Sequence, residues 1–470
     1  MMVGKTLAVA LAAAVAGTAV GDDAARIRID FGDVVGEVKP VNGIGQGPLV
    51  GWDNYRLFAL LKEAGIPYAR LHDVGGAYGG NRFVDVPNVF RDFDADEDDP
   101  KSYDFSFTDS YLKALVDNGV EPYYRLGVTI ENASVRHGPL RILPPKDFAK
   151  WARICEHIVR HYTQGWANGF NWRIRYWEIW NEPEDCVDWT KSPMWRAPFS
   201  EYCRLYEVTS KHLKAKFPDI RVGGYAGCGF YAVTKSMEYE TNPVRHERFD
   251  HLVKSFHGFL AYVKEHGCPL DFFSFHCYDD PVNYVGQAAF VRRTLDDAGF
   301  AKTEMHCNEW LSQTVEPGSA EQAPRIAAML AALQEGPTDA GMIYDGQCRV
   351  TYYAPLFDAS KMTRGEPEQA RVHKSYYAFL YFNELRRLGK CVRTEPIAGG
   401  RVWATAATDG KGEGAVLLAN DSDAAVPLDL KLGGWRIGAC RVTDPGRTDE
   451  LTVDARSLPP HSFMLMRASR

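Results

Sequence analysis

Two segments of the sequence contain the same pair of residues, an asparagine followed by a glutamate. Glu182 lies in residues 177–183, which read Trp-Glu-Ile-Trp-Asn-Glu-Pro, and Glu309 lies in residues 305–310, which read Met-His-Cys-Asn-Glu-Trp. Two carboxyl groups at facing strand ends can cleave a glycosidic bond, because one protonates the leaving oxygen while the other attacks the sugar or activates water. A single glutamate in such a place would also fit a helix cap or a solvent-facing loop. The repeated Asn-Glu context favours catalysis.

The elements that must position these glutamates follow one regular pattern. The clearest unit is residues 249–276, in which apolar side chains at helical spacing precede Gly267 and Pro269, and a short apolar run follows over residues 270–275. Counting residues 41–45 as the opening strand, eight such strands alternate with eight helices. This alternation predicts an α/β fold, a (β/α)8 or TIM barrel, over residues 41–389.

An open, doubly wound sheet is the alternative architecture. It usually carries a glycine-rich phosphate loop that leads into a helix after the first strand. In this sequence Pro48 follows the glycines of the first strand, so we favour the barrel.

A barrel would bring the two glutamates together, because its active site forms at the C-terminal ends of the strands. Glu182 and Glu309 are 127 residues apart, or three βα units of about 42 residues each. Side-chain alternation also predicts that Glu178, Trp180 and Glu182 share one side of their strand.

The pattern changes after Gly389. Short alternating strands separated by Gly and Asp turns predict a small C-terminal antiparallel β-sandwich domain over residues 390–470. Residues 24–40 include an alternating run before the barrel, and we expect them to add a strand to that domain.

The first 20 residues indicate export. Lys5 precedes a short apolar run over residues 7–16, and Ala14-Val15-Ala16 is typical of a signal-peptidase site. We therefore expect a signal peptide over residues 1–20 and a secreted or periplasmic protein without a membrane anchor. A disordered alanine-rich leader is the alternative.

Composition excludes several classes of protein. Hydrophobic residues make up 45% and charged residues 24% of the chain, which is an ordinary globular balance. The net charge is -7 and no basic block stands out, so we expect no nucleic-acid partner. The sequence contains no HExxH zinc motif, no GxSxG nucleophile elbow and no Walker A loop. We expect neither a metal nor another cofactor.

Residues 176–183, Tyr-Trp-Glu-Ile-Trp-Asn-Glu-Pro, resemble the acid/base strand of the clan A glycoside hydrolases, which are retaining enzymes on a (β/α)8 barrel. More narrowly, the chain resembles glycoside hydrolase family 39, which includes β-xylosidases and α-L-iduronidases. Residues 70–72 (Arg-Leu-His), the segment 201–206 after a Trp195-bearing loop, and the terminal β domain extend this resemblance. It implies that Glu182 is the general acid/base, that Glu309 is the nucleophile and that Asn181 binds the sugar 2-hydroxyl.

Four further side chains belong to the predicted site. Arg70 is a cation that can keep the nucleophile ionised, and an ion pair with Glu178 in the core is its alternative role. His72 is a candidate sugar contact. His276 and Tyr278 close the strand beside that of Glu309, so we expect them to contact the sugar or to hold this glutamate. A buried histidine with a structural role is the alternative for His276.

Tryptophans supply the last part of the predicted site. An acid that keeps its proton near neutral pH needs an apolar setting or a nearby negative charge. We expect Trp180 and Trp310 to provide apolar walls that bind the substrate.

These features together predict a retaining glycoside hydrolase that acts on oligo- or polysaccharides, with exo action and β-xylosidase-like specificity. Two alternatives remain at this point. One is a non-catalytic carbohydrate-binding barrel, which would have lost a carboxylate. The other is a transglycosylase that uses the same carboxylate pair.

Overall fold

The computed structural model describes residues 25–48, 55–72, 84–128, 139–312, 315, 319, 321–344, 356–358, 371–398, 402–452 and 456–470. The predicted signal peptide lies outside these residues. Strand β1 (Ala25–Glu37) comes first in the described chain.

Eight parallel strands then close into a barrel, so the predicted barrel is confirmed. In chain order they are β2 (Gly43–Gly45), β3 (Tyr68–Arg70), β4 (Glu121–Leu126), β5 (Tyr176–Ile179), β6 (Arg221–Gly227), β7 (Phe272–Cys277), β8 (Glu304–Trp310) and β9 (Ala340–Ile343).

Helices connect the strands on the outside of the barrel. They are α1 (Tyr55–Glu63), the short α2 (Val86–Val89), α3 (Ser106–Asp117), α4 (Phe148–Gln164), α5 (Phe199–Lys216), the short α6 (Tyr231–Thr234), α7 (Pro243–Glu265), α8 (Pro281–Ala298), α9 (Gln322–Glu335) and α10 (Lys374–Leu388). Two-residue strands β10 (Phe357–Asp358) and β11 (Arg371–Val372) pair with each other between α9 and α10. No helix in the described part of the chain is long and apolar enough to cross a membrane.

Helix α7 shows how local sequence sets these bounds. The apolar pattern predicts a helix from residue 249, but the helix begins six residues earlier. Asn242 is the N-cap and accepts a hydrogen bond from the Arg245 backbone N–H, while Pro243 occupies the first turn. Both residues favour a helix start regardless of hydrophobic periodicity.

The interior of the barrel contains two layers of different chemistry. The floor, near the N-terminal ends of the strands, is a cluster of Tyr68, Tyr123, Tyr176, Phe272, Ala340 and Met342. The next inward-facing residues along three of the strands are polar or charged, namely Arg70, Glu178 and Ser274, and all three are buried. This buried polar layer supports the residues at the mouth of the barrel.

The C-terminal domain is one nine-stranded sheet. Its strands are β12 (Lys390–Ala398), β13 (Val402–Thr408), β14 (Glu413–Asn420), β15 (Val426–Lys431), β16 (Arg436–Thr443), β17 (Glu450–Thr452), β18 (Ser457–Leu458), β19 (Ser462–Ser469) and β1, in the order β17-β16-β19-β14-β13-β12-β1-β15-β18. β1 pairs antiparallel with β12 and parallel with β15.

This sheet curls to enclose a core of its own, so the two layers of the predicted sandwich belong to a single sheet. Residues from both ends of the strand order share one apolar cluster, including Ile27, Val442 and Leu458. Phe31 of β1 stacks on Trp435, with ring centroids 4.4 Å apart. The sequence pattern did not predict β16, because Gly438 and a register shift between Ile437 and Cys440 interrupt its alternation.

Candidate active site

The predicted site residues converge at the C-terminal end of the barrel. Arg70 ends β3 and His72 follows it, Glu182 lies just after β5, His276 lies in β7, and Glu309 lies near the end of β8. Between β7 and β8 the pairing shifts by one residue, from Phe275 opposite Cys307 to His276 opposite Glu309. Such irregularities often re-aim a side chain near an active site.

Glu309 is buried and held by donors from two sides. Nη1 of Arg70 donates to Oε1 at 2.5 Å, and the Tyr278 hydroxyl donates to Oε2. Nε2 of His72 lies 3.8 Å from Oε1, and Nδ1 of His276 lies 3.4 Å from Oε2. Both oxygens of this carboxylate are therefore fixed in position.

Arg70 is itself fixed by the buried polar layer beneath it. Its Nε donates to Oε2 of Glu178 at 2.7 Å, and Oε1 of Glu178 accepts hydrogen bonds from Ser274 at 2.6 Å and from Asn308 at 2.5 Å. Arg70 and Glu178 are 1% and 0% exposed. The two roles considered for Arg70, an ion pair with Glu178 and a contact to Glu309, are both present.

Asn181 is oriented by the same guanidinium. Nη2 of Arg70 donates to its Oδ1 at 2.6 Å. Because an arginine can only donate, the oxygen of this amide must face Arg70, and its Nδ2 remains a donor. A donor at this position suits the oxygen of a sugar hydroxyl.

Glu182 has a different type of support. Its backbone adopts a positive φ of 45°, an uncommon conformation for a side chain of this type, and its N–H donates to the Ala226 carbonyl at 3.1 Å. Its Oε1 lies 2.7 Å from Nδ1 of His276. About a fifth of the side chain is exposed, at 22%, compared with 5% for Glu309. Glu182 is thus the more accessible of the two carboxyl groups.

The surroundings of Glu182, Glu309 and His276 also shift the pKa values of these groups in different ways. Burial raises the pKa of Glu182 to about 7, and the negative charge of Asp185 adds to this increase. Burial also raises the pKa of Glu309, but the positive charge of Arg70 and the hydrogen bond from Tyr278 oppose the increase. Burial lowers the pKa of His276 to about 4, so this imidazole is neutral at neutral pH. Glu182 is therefore suited to hold a proton near neutral pH, whereas the donors on both oxygens of Glu309 favour its charged form.

The two carboxyl groups lie close together across the mouth of the barrel. One oxygen of Glu182, one oxygen of Glu309 and one ring nitrogen of His276 all lie within 4.8 Å of one another. Inverting glycosidases hold their carboxyl groups about 6.5–9.5 Å apart to admit water, whereas retaining enzymes hold them about 5–5.5 Å apart. The short oxygen–oxygen approach agrees with the retaining arrangement.

Trp180 does not face the cleft, which corrects its predicted role as a substrate wall. Its φ of 72° breaks the alternation that was expected to align it with Glu178 and Glu182. The indole is 2% exposed, packs edge-on against Trp195 at 5.0 Å and donates to the Met194 carbonyl at 3.0 Å. It supports the loop of Glu182 from behind.

Trp310 is likewise placed on the other side of its strand. It is 1% exposed and stacks on Phe379 of α10, with ring centroids 6.3 Å apart. It follows Glu309 directly, so alternation turns its side chain towards the helices when Glu309 faces the barrel. This observation corrects the prediction that Trp310 binds substrate.

Sequence reasoning missed a cluster behind Glu182. Arg248 of α7 donates to the Asp185 backbone carbonyl at 2.9 Å and to its carboxylate Oδ1, and the Cys228 thiol lies 3.5 Å from the same oxygen. The Cys228 backbone N–H donates to Oε1 of Glu184 at 2.8 Å. Glu184 and Asp185 directly follow the Asn-Glu-Pro motif, which was the only signal in the sequence. Nothing in the pattern of α7 indicated Arg248.

Two groups of side chains in the described part of the chain are close enough to hold an ion. One is Glu182, His276 and Glu309, and the other is Glu182, Asp185 and Cys228. The hydrogen bonds and ion pairs described above already engage these groups. That the protein uses no metal stays a prediction.

Comparisons with known proteins agree with this geometry. The family model of the glycosyl hydrolases family 39 matches residues 44–308, which is more than half of the chain. A β-xylosidase of Geobacillus stearothermophilus is 27% identical over 285 residues, which cover 54% of this chain and 51% of that relative. The chain therefore spans about half the length of the curated relative it matches.

Solved structures share the fold over nearly the whole chain. A glucosidase from Croceicoccus marinus has a TM-score of 0.68 at 19% identity, covering 96% of this chain and 100% of that one. A GH39 β-xylosidase from Caulobacter crescentus has a TM-score of 0.62 at 18% identity, covering 95% and 100%. The GH39 enzyme from Xanthomonas axonopodis pv. citri has a TM-score of 0.64 at 18% identity, covering 95% and 98%. With the matched residues 44–308 carrying Arg70, Glu182 and His276, this chain belongs to glycosyl hydrolase family 39.

Proposed function

We propose that the protein is a retaining, exo-acting glycoside hydrolase with β-xylosidase-like specificity. The observation that carries this proposal is the close approach of Glu182 and Glu309, within 4.8 Å, in surroundings that favour a proton on Glu182 and a negative charge on Glu309. A non-catalytic sugar-binding barrel is not favoured, because both carboxyl groups are present and fixed by hydrogen bonds.

The first step forms a covalent intermediate. The Glu309 carboxylate attacks the anomeric carbon, the glycosidic C–O bond breaks, and Glu182 transfers its proton to the leaving oxygen. Arg70 and Tyr278 hold the attacking carboxylate in one orientation, and Asn181 is positioned to bind the 2-hydroxyl of the sugar. The product of this step is an ester between the sugar and Glu309.

In the second step Glu182 acts as the base and Glu309 is the leaving group. The Glu182 carboxylate accepts a proton from water, the water oxygen bonds to the anomeric carbon, and the ester bond to Glu309 breaks. Two inversions at the same carbon give net retention. His276 lies against both carboxyl groups, and we infer that it holds them in a fixed relative position during both steps.

The β-xyloside preference rests on the similarity to a β-xylosidase, and the structural similarity to a glucosidase makes β-glucosides the main competitor. A panel of nitrophenyl glycosides of xylose, glucose, arabinose, galactose and iduronic acid tests this preference. We expect the highest kcat/KM on the β-xyloside. A higher value on the β-glucoside would overturn the specificity but not the mechanism.

Two product analyses test the mode of action. Proton NMR at early times should show the β-anomer of xylose, as retention requires, and the α-anomer would refute retention. With a reduced xylo-oligosaccharide, single xylose units should appear from the start if action is exo. An acceptor alcohol distinguishes a hydrolase from a transglycosylase, because only the latter would form the alkyl glycoside in preference to free sugar.

We also propose that the protein is exported, on the basis of the apolar run and the Ala14-Val15-Ala16 site in the sequence. Expression of the full chain with a C-terminal tag in a Gram-negative host, followed by N-terminal sequencing of the tagged product, tests this proposal. An intact N-terminus in the cytoplasmic fraction would contradict it.

A further inference from the structure

An ion pair between Asp185 and Arg248 links the loop that carries Glu182 to α7, a helix outside the barrel. Arg248 of α7 contacts Asp185 twice, through the backbone carbonyl at 2.9 Å and through the carboxylate. The side chains of Arg248 and Asp185 are 34% and 17% exposed, so the pair is partly shielded from water. Charges with little water between them interact over longer distances than charges at the surface.

This pair lies next to the acid/base. Oxygens of Glu182 and Asp185 and the sulfur of Cys228 lie within 4.8 Å of one another. The Asp185 carboxylate therefore repels a charge on Glu182, while the Arg248 guanidinium stabilises one. With both partners present, the two effects oppose each other at one titrating group.

Other ionisable groups also face Glu182 and influence its titration. Its own loop supplies Glu184, which is buried and whose pKa burial raises to about 8. Groups on β3, β6, β7 and β8 or directly after them are Arg70, Cys228, His276, Tyr278 and Glu309. On α7, His251 lies beside Asp185, Arg248 and the Glu184 backbone. Among these charged neighbours, the Asp185–Arg248 pair is special because it touches none of the groups that hold Glu309.

We propose that the Asp185–Arg248 ion pair is a positioning element that sets the pH range in which Glu182 acts as a proton donor. The inference rests on the proposed glycosidase function. It assigns the two residues no contact with substrate. Their effect is electrostatic, and it acts on one of the two catalytic carboxyl groups only.

The charge arrangement makes opposite predictions for the two single variants. Asp185→Asn removes a negative charge and leaves Arg248 beside Glu182, so Glu182 should lose its proton at lower pH. Arg248→Gln leaves the Asp185 charge uncompensated, so Glu182 should keep its proton to higher pH. The basic limb of kcat/KM against pH reports this deprotonation in the free enzyme. We expect it to move by about 0.5–1 pH unit, down for Asp185→Asn and up for Arg248→Gln.

The double variant Asp185→Asn/Arg248→Gln separates electrostatics from structure. Removing both charges should return the basic limb to within about 0.3 pH unit of the wild-type position. A purely structural role would make the double variant at least as impaired as either single variant, with no opposite shifts. Arg248→Lys, which keeps the charge, should stay near the wild-type limb. Arg245→Gln is the matched control on the same helix, because Arg245 is 43% exposed and pairs only loosely with Glu238 at 3.7 Å.

The assay is kcat/KM for an unactivated oligosaccharide between pH 4 and 9, with thermal unfolding of each variant recorded in parallel. Basic limbs that coincide in all variants, or that shift in the same direction in both single variants, would overturn the inference. A wild-type protein that hydrolyses no glycoside would instead overturn the proposed function. If Arg248→Gln does not fold, Asp185→Asn and Arg248→Lys still test the inference, because the basic limb should move down in the first variant and stay in place in the second.

Discussion

The two catalytic glutamates are chemically identical, but the two halves of the site treat them differently. Glu309 lies in a strand, is almost fully buried, and has hydrogen-bond donors on both oxygens. Glu182 lies in a loop with a positive φ, is partly exposed, and has one histidine and a mixed-charge cluster as neighbours. Position on a regular element and access to donors, rather than residue type, distinguish the nucleophile from the proton donor in this site.

The strongest test of this difference is Glu309→Ala. We expect turnover to fall by about 10⁴-fold or more on every substrate, because no covalent intermediate can form. Added azide should restore part of the activity and give a glycosyl azide of inverted configuration. A fluorinated activated glycoside should label wild-type Glu309, as read by mass spectrometry of the digest. A label on any other residue would contradict the assignment of the nucleophile.

Glu182→Ala should give a selective rather than a general loss. Natural substrates should react about 10²–10⁴-fold more slowly, since the leaving oxygen is no longer protonated. Nitrophenyl substrates barely need an acid, so the glycosyl-enzyme should form and accumulate because its hydrolysis lacks a base. Azide should release it with retained configuration. Full activity of this variant on an oligosaccharide would show that another group is the acid.

Arg70→Met tests whether the nucleophile half depends on its buried cation. The change leaves the Glu178 and Glu309 carboxylates buried without a compensating positive charge, and we expect a loss of about 3–5 kcal/mol in the free energy of unfolding. Adding Glu178→Gln should recover part of it. Arg91→Met is the control, because Arg91 is 68% exposed in its pair with Asp104 and should change stability by less than about 0.5 kcal/mol. Urea titrations compare the variants, and equal losses in the two single variants would refute the prediction.

Two tyrosines, one at the mouth of the barrel and one in its floor, allow the two regions to be compared. The Tyr278 hydroxyl donates to Glu309, and the Tyr176 hydroxyl donates to Glu304 at 2.8 Å in the floor. Tyr278→Phe should lower kcat/KM by about 10–100-fold, because the nucleophile loses a fixed donor. Tyr176→Phe should leave kcat/KM within about twofold and cost about 1 kcal/mol in stability. Similar kinetics for both variants would place Tyr278 outside the machinery.

The smallest expected effect concerns stability against pH. Because the folded state raises the pKa of Glu182 from 4.5 to about 7, it binds that proton more tightly than the unfolded chain. The contribution of this group to stability is therefore fully present below about pH 4.5 and is lost as the pH rises through about 7. Glu182→Gln cannot titrate, so its stability relative to wild type should increase by about 1 kcal/mol between pH 5 and 8. Chemical denaturation at both pH values measures this difference, and a constant difference would contradict the raised pKa.

The sequence predicted the site best where its residues lie at strand ends. Arg70, His276 and Glu309 were predicted correctly as neighbours, because parallel strands bring their C-terminal ends together whatever the loops do. Trp180 was misplaced because its positive φ reverses the alternation, and backbone dihedrals of a non-glycine residue leave no mark in the sequence. Trp310 was misplaced although alternation after Glu309 could have revealed it.

The eight-stranded barrel was predicted from its repeated helix and strand pattern, whereas the sheet domain was predicted less completely. Barrel strands are short, largely buried segments rich in apolar residues, because both faces of the sheet are covered. β16 exposes much of one face and carries Gly438, so its pattern is weak. Arg248 could not have been predicted, because its role depends on how α7 packs against the loop after β5 rather than on any local motif.

The position of β1 has a consequence for how the protein is made. Its partners β12 and β15 follow the barrel in the sequence, more than 350 residues after β1. During synthesis, at about 5–20 residues per second, this strand emerges from the ribosome well before either partner exists. Its apolar residues Ile27, Ile29 and Phe31, which are buried in the folded protein, therefore lack their partner strands while the whole barrel is translated. The sheet domain can be completed only after the barrel has been translated, and its assembly brings the two ends of the described chain together.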